Sequence, residues 1–361
     1  MRVVSVVGAR PNFMKLAPVH RVLSRYSDVQ HTTVHTGQHY DEGMSDAFFS
    51  DLNLPAPQYN LGVGSGPHGR QTAAILERCE TVFQDLAPDW VVVYGDVNST
   101  LGGALAAVKL GIKVAHVEAG LRSRDRGMPE EHNRVVTDHL ADMLFAPSPD
   151  AVENLLAEGI SRDLINFVGN VMIDALVTAL PAARMINGPE RRGLKAGGYA
   201  LVTLHRPSNV DDPNAFGELL GALSTIASRL PVLYPIHPRS RRKLEDGGLM
   251  SRVEGVQLVN PLPYVEMLSL VDSAKLVITD SGGLQEETTF LGIPCFTVRP
   301  NTERPITITR GTNHLVADAR CLVAAVLNGV GPRQPAALER WDGRAAERIA
   351  AALCENKRFD W

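Results

Sequence analysis

The sequence predicts an α/β chain of two Rossmann-like, doubly wound parallel-sheet domains facing a cleft. Three observations carry this. Short runs rich in Val and Ile recur along the 361 residues, helical stretches separate them, and the series restarts after a break where glycine and charge collect.

In the first half the strands are read at "RVVSVVGA", "HTTVHTG", "WVVVYGD", "KVAHVEAG" and "MLFAPS", each closed by a Gly, Asp, His or Pro turn. In the second half they are "YALVTLH", "VLYPIHP", "VQLVNPL", "LVITDSGG" and "PCFTVRP". Runs this continuously apolar belong to parallel sheets covered on both faces. The covering helices include "FMKLAPVHRVLSRY", "TLGGALAAVKLG" and "GGLQEETTFLG". The break lies near "INFVGNVMIDALVTALPAARMINGPERRGLKAGG", giving domains at 1–170 and 171–344. "PAALERWDGRAAERIAAALCENKRF" reads as a final helix with an apolar stripe.

Hydrophobic residues make up 44% and charged residues 21%, as in globular rather than disordered chains. A formal net charge of −4 gives no reason to expect bulk binding of nucleic acid or a membrane surface. Four scattered cysteines form no CxxC pair, which argues against structural zinc and fits a reducing compartment. No apolar run is long enough to span a bilayer, so a cytoplasmic location is expected.

In open parallel sheets, ligands bind beyond the carboxyl ends of the strands, where chain order reverses. Arg10, Asp96, Glu118, His205, His237 and Ser281 all follow predicted strands. "GARPNFMK" turns into a helix and offers Arg10 and Lys15 to an anion, although a plain strand–helix turn accounts for it equally well. "DSGGLQEE" presents Ser281, Gly282 and Gly283 at a helix N-terminus suited to a diphosphate, with Glu287 one turn on for ribose hydroxyls. The same octamer reads as a capping box with Ser281 as cap, and the two roles are compatible. His205 with Arg206, and His237 with Arg239, form two His-plus-Arg strand ends that favour a phosphate-bearing ligand.

Asp96, Glu118 and Glu130 are three carboxylates on loops of the first domain. They lack the spacing of a dedicated metal site, and no Gly-x-Ser-x-Gly nucleophile turn is present. Glu131, Arg122, Arg124 and Arg126 are expected at the surface or in domain closure.

Along nearly its whole length the chain resembles the non-hydrolysing UDP-N-acetylglucosamine 2-epimerases. The resemblance runs in order through "GARPNFMK", "TGQH", "YGDVNST", "HVEAGLRS", "MPEEHNR", "VGNVMIDAL", "HRPSN", "LVITDSGGLQEE" and "NTERP". It implies the glycosyltransferase-B architecture, with a C-terminal helix of about 345–361 returning to the first domain. It also implies a cytoplasmic homodimer acting on UDP-GlcNAc, with UDP released and recaptured, and without metal or cofactor.

By resemblance, Asp96, Glu118 and Glu130 match catalytic carboxylates, His205 assists the departing UDP, and Arg134 supports the carboxylates. Arg10, Lys15, Arg206, His237, Ser281, Gly282, Gly283, Glu287 and Arg304 fall on the substrate-binding side. The uracil is expected along "PLPYVEM", with Leu262 and Met267.

Three motifs depart from the common family pattern: "GARPN" for "GTRPE", "HRPS" for "HRRE", and Ile306 for the acid in "TERPE". The first two variants also occur in relatives that epimerise modified sugars such as UDP-2,3-diacetamido-glucuronic acid. The altered loop "QHYDEGMSDA" implies loss of the activator site many members carry. A hydrolysing epimerase, a glycosyltransferase and a UDP-sugar-binding sensor without turnover are the remaining alternatives.

Overall fold

A computed structural model describes residues 1–38, 52, 54–329, 331, 333–355 and 357–360. The chain divides into two compact units, Met1–Thr178 with Glu339–Trp361, and Ala179–Leu338.

The first unit holds β1 (Arg2–Val7), β2 (Gln30–His35), β3 (Tyr59–Asn60), β4 (Trp90–Tyr94), β5 (Lys113–Val117), β6 (Met143–Ala146) and β7 (Ile165–Phe167). They form one sheet in the order β3-β2-β1-β4-β5-β6-β7, with every pairing parallel. β1 pairs with β2 on one side and β4 on the other, so chain order reverses between β1 and β4. Polar groups at the carboxyl ends of these two strands therefore face a switch point.

Asn12 stitches that point together. Its Oδ1 accepts from the N–H groups of Gly8 and Ala9, and its Nδ2 donates to the Tyr94 carbonyl at 2.8 Å. The neighbouring Gly8 admits no side chain, because a Cβ there would lie 1.9 Å from Ser99 Oγ. The final helix, Ala345–Glu355, belongs to this unit and buries Ala345, Ala346, Ile349, Ala350, Ala352 and Leu353. Its first turn is capped from a distance, with Asp174 accepting the N–H of Ala345 at 3.1 Å and of Ala346 at 2.7 Å.

The second unit repeats the design with β8 (Ala200–Thr203), β9 (Val232–Pro235), β10 (Val256–Val259), β11 (Leu276–Thr279), β12 (Cys295–Val298) and β13 (Asn313–Val316). Its order is β10-β9-β8-β11-β12-β13, again parallel throughout, with the reversal between β8 and β11. Phe216, Leu220, Leu223 and Ile226 of the helix Pro213–Ala227 pack into this unit's core.

All ten strands expected from the sequence are present, joined by β3, β7 and β13 at sheet edges. Among the described residues no helix is long and apolar enough to cross a membrane.

Candidate active site

In the first unit the chemistry gathers beyond β4 and β5. The turn after β4 runs through Gly95 at φ +64°, where a Cβ would meet Lys15 Nζ at 2.6 Å. Glycine thus lets the lysine pass close to the backbone. Lys15 Nζ donates to Glu118 Oε1 at 2.6 Å, and both side chains are buried. Glu118 itself adopts φ +73°. A left-handed non-glycine residue costs roughly 1–3 kcal/mol, which the surrounding structure must offset. Here the Glu118 and Ala119 N–H groups both donate to the Phe145 carbonyl.

The helix Pro129–Leu140 starts on proline, whose missing N–H costs nothing at that position, and carries Glu130 and Glu131 in its first turn. Successive helical residues diverge by about 100°, and the two glutamates separate accordingly. Glu130 is half-buried and lines a pocket of about 200 Å³ with Gln38, His68, Gln71, Asn98 and Asn133.

Glu131 turns inward, contrary to its expected surface position. It accepts from the Ser123 N–H and hydroxyl and from the Arg124 N–H, and pairs with Arg134. Burial alone would raise the Glu131 carboxyl, but these donors hold it below the usual carboxylate range. Arg134 also donates to Asp96 Oδ2 at 2.5 Å, so one guanidinium bridges Glu131 and Asp96. Arg122, likewise expected outside, is buried against Asp138 and Glu158, whereas Arg124 and Arg126 are exposed.

In the second unit the switch point is occupied by His205 and Asp280. Asp280 Oδ1 lies 2.9 Å from His205 Nδ1, and Oδ2 accepts from the N–H groups of His205 and Arg206 and from Asn209 Nδ2. Burial opposes ionisation of Asp280, and the His205 side chain leads the contacts that nevertheless keep its carboxyl below the ordinary value. The His205 side chain is 45% exposed, so an oriented imidazole is presented outward. The His237 ring centroid lies 6.3 Å from that of His205. His237 Nδ1 accepts from the Arg239 N–H and caps the helix Pro238–Asp246.

Ser281, Gly282 and Gly283 sit half-buried at the start of the helix Gly282–Leu291. The capping-box expectation fails here. The Ser281 side chain makes no cap hydrogen bond and its N–H donates to Thr279 Oγ1, while the glutamates lie beyond the first turn. Glu286 pairs with Arg304, and Glu287 Oε1 accepts from the Tyr264 hydroxyl at 3.1 Å. Arg304 also reaches Glu303, and a Cβ on Gly282 would meet the Arg304 guanidinium at 2.7 Å. Arg206 Nε donates to the Asp280 carbonyl. Leu262 and Met267, both half-buried, flank the start of the helix Tyr264–Asp272 after β10, and Arg10 is exposed at the start of its own helix.

The structure thus groups Lys15 with Glu118, Asp96 with Arg134, and His205 with His237. Sequence reasoning misplaced Glu131 and missed the roles of Asp138, His116, Asp280 and Tyr264. A signal existed for two of them: His116 interrupts an apolar strand, and Asp280 ends one at a switch point. The altered loop "QHYDEGMSDA", read as bearing on an activator site, lies outside the described residues beyond Gln38.

Two parallel sheets of Rossmann order, each with charged groups at its switch point, define an α/β protein of the glycosyltransferase-B class. The model of the UDP-N-acetylglucosamine 2-epimerase family matches residues 21–354, and the chain belongs to that family.

A UDP-N-acetylglucosamine 2-epimerase homolog from Methanococcus maripaludis is 43% identical, over 98% of this chain and 99% of the relative. A UDP-2,3-diacetamido-2,3-dideoxy-D-glucuronate 2-epimerase from Pseudomonas aeruginosa is 41% identical, over 98% and 100%. The crystal structure of the Methanocaldococcus jannaschii UDP-GlcNAc 2-epimerase in complex with UDP-GlcNAc and UDP superposes with a TM-score of 0.91 at 41% identity, covering 98% of this chain and 100% of that one. The chain is an epimerase.

Proposed function

We propose that the protein interconverts UDP-N-acetylglucosamine and UDP-N-acetylmannosamine without hydrolysis, by anti-elimination of UDP and syn re-addition. In the first step a carboxylate removes the C2 proton while the C1–O bond breaks and UDP leaves with the bonding pair, giving 2-acetamidoglucal. In the second, the same diphosphate oxygen attacks C1 and a proton reaches C2 from the opposite face. The two sugars are isomers and neither step is a redox step, so the scheme calls for no oxidant or reductant.

The observation that carries this reading is the pairing of carboxylates with buried cations at one switch point. The C2–H is weakly acidic, so the base must be positioned. Glu118 against Lys15 and Asp96 against Arg134 meet that need, and Glu130 opens into a pocket. Asp96, Glu118 and Glu130 are assigned to C2. His205, oriented by Asp280, assists the departing diphosphate, and Ser281, Gly282 and Gly283 hold it. Glu287 and the segment with Leu262 and Met267 are assigned to the nucleoside, and Arg10, Arg206, His237 and Arg304 to the phosphates and sugar.

The test is product analysis with Asp96→Asn and Glu130→Gln. Both variants should bind UDP and lose most interconversion, and wild-type turnover in both contradicts the assignment. Free N-acetylmannosamine with UDP as the wild-type products contradicts the non-hydrolysing form.

A second substrate has a specific observation behind it. The P. aeruginosa diacetamido-glucuronate epimerase is 41% identical to this chain, as is the M. jannaschii UDP-GlcNAc 2-epimerase. What the two named substrates share is UDP and a 2-acetamido group. Turnover of the diacetamido sugar but not of UDP-GlcNAc would move the substrate and leave the reaction type in place.

A further inference from the structure

We propose that Asp138 and His116 form a positioning pair that fixes the turns carrying Asp96 and Glu118, with the His116 Nε2 proton held on the Gly95 carbonyl. The inference rests on the reading of Asp96 and Glu118 as acid–base groups.

The hydrogen-bond inventory fixes the partner of each His116 ring nitrogen. Its ring is fully buried in β5. Nε2 lies 2.7 Å from the Gly95 carbonyl, which can only accept, so Nε2 carries a proton. Nδ1 lies 2.6 Å from Asp138 Oδ1. The other Asp138 oxygen accepts from the Gly120 N–H at 3.1 Å and from Arg122 NH1 at 2.7 Å. Burial works against that carboxylate, while His116 and Arg122 hold it below its ordinary range.

The same contacts reach both functional turns. Gly95 directly precedes Asp96; its carbonyl is held by His116, and its N–H donates to the Val117 carbonyl at 2.9 Å. Beyond β5, Glu118 at φ +73° and Gly120 at φ +85° make an unusual turn that Asp138 pins through the Gly120 N–H. Gly120 is packed so closely that a Cβ would lie 2.3 Å from the Ala151 carbonyl oxygen. Asp138 stands one helical turn beyond Arg134, the residue that holds Asp96. One buried carboxylate thus ties the helix of Glu130 and Arg134 to the turns of Asp96 and Glu118.

A buried ion pair is a poor device for stability alone, since apolar replacements often serve as well. Its value here is geometric, and a misplacement of about 1 Å can cost on the order of 100-fold in rate.

Two measurements test this. The first is the ring-nitrogen NMR spectrum of ¹⁵N-histidine-labelled protein at pH 8, with His116 assigned by its loss in His116→Gln. The His116 Nε2 should appear protonated, as its bond to the Gly95 carbonyl requires, and an unprotonated Nε2 overturns the proposal. The second is kinetics of Asp138→Asn with UDP-GlcNAc. The account expects kcat for C2 exchange to fall about 10- to 100-fold with KM within about threefold, and a folded variant with wild-type kcat overturns it. If Asp138→Asn does not fold, the wild-type spectrum still decides the protonation, and His116→Gln carries the kinetic test with the same expected and overturning results. Failure of the wild-type enzyme to exchange C2 overturns the reading of the site and the positioning role with it. The Nε2–H signal is read without turnover, which keeps the two failures apart.

Discussion

His205 Nδ1 and Asp280 Oδ1 lie 2.9 Å apart across the reversal of the second sheet, where β8 and β11 pair. Thr203 and Thr279 end those strands in register, so a histidine two residues beyond one strand meets an aspartate one residue beyond the other. The carboxylate fixes the ring's orientation and favours a proton on Nδ1, leaving Nε2 on the opposite side of the ring.

Replacing Asp280 by Asn would set an amide donor against Nδ1 and reverse that tautomer preference. The expected outcome for Asp280→Asn is a fall in kcat on the order of 10²–10⁴-fold, with UDP affinity little changed. Steady-state kinetics beside a UDP titration checks it, and an unchanged kcat would remove His205 from the mechanism.

Lys15 and Glu118 are a buried pair, so deleting Lys15 takes its cation away from a buried carboxylate. Lys15→Met should destabilise the protein by roughly 3–5 kcal/mol, read from the chemical denaturation midpoint at neutral pH. A loss below about 1 kcal/mol, the level of exposed pairs, would mean that Glu118 finds another partner.

Gly282 opens the helix assigned to the diphosphate, and a Cβ there would crowd Arg304 and Glu303 at 2.7 and 2.8 Å. Gly282→Ala should weaken UDP binding about tenfold, near 1.4 kcal/mol, with the melting temperature nearly unchanged. Isothermal titration decides this, and wild-type affinity would place the diphosphate elsewhere.

Asp174 supplies the pH prediction. Burial pushes its carboxyl up from 3.8 to about 6, against the N–H groups of Ala346 and Ala345. A raised folded-state value means that the folded chain binds the proton more tightly than the unfolded chain. This contribution is fully present below about pH 4 and is lost as pH rises through about 6. Its size is roughly 3 kcal/mol, from about two pH units at 1.4 kcal/mol each. Comparing wild-type with Asp174→Asn from pH 4 to 7 isolates it. The wild-type should lose stability relative to the variant as pH rises, and a flat difference would contradict the assignment.

Much of this was legible in the sequence, and the misses share a cause. The ten anticipated strands are mostly interior and, apart from β2, apolar. β3, β7 and β13 read "YN", "INF" and "NHLV", too short or too polar to stand out, because an edge strand pairs on one side only. The carboxylates and cations of the site were visible as strand-end residues. Their partners were not, since Lys15 and Glu118 are 103 residues apart, and His205 and Asp280 are joined only by the pairing of β8 with β11. Glu131 was misplaced because its burial depends on the loop at Ser123 and Arg124 folding back over it.

Reversible removal of the C2 proton with UDP retained is read most directly by NMR of UDP-GlcNAc incubated with the protein in D2O. Deuterium should appear at C2 of both UDP-GlcNAc and newly formed UDP-ManNAc, with no build-up of free amino sugar. Epimer formation with the C2 proton retained, or no exchange with any UDP-linked 2-acetamido sugar, would contradict it.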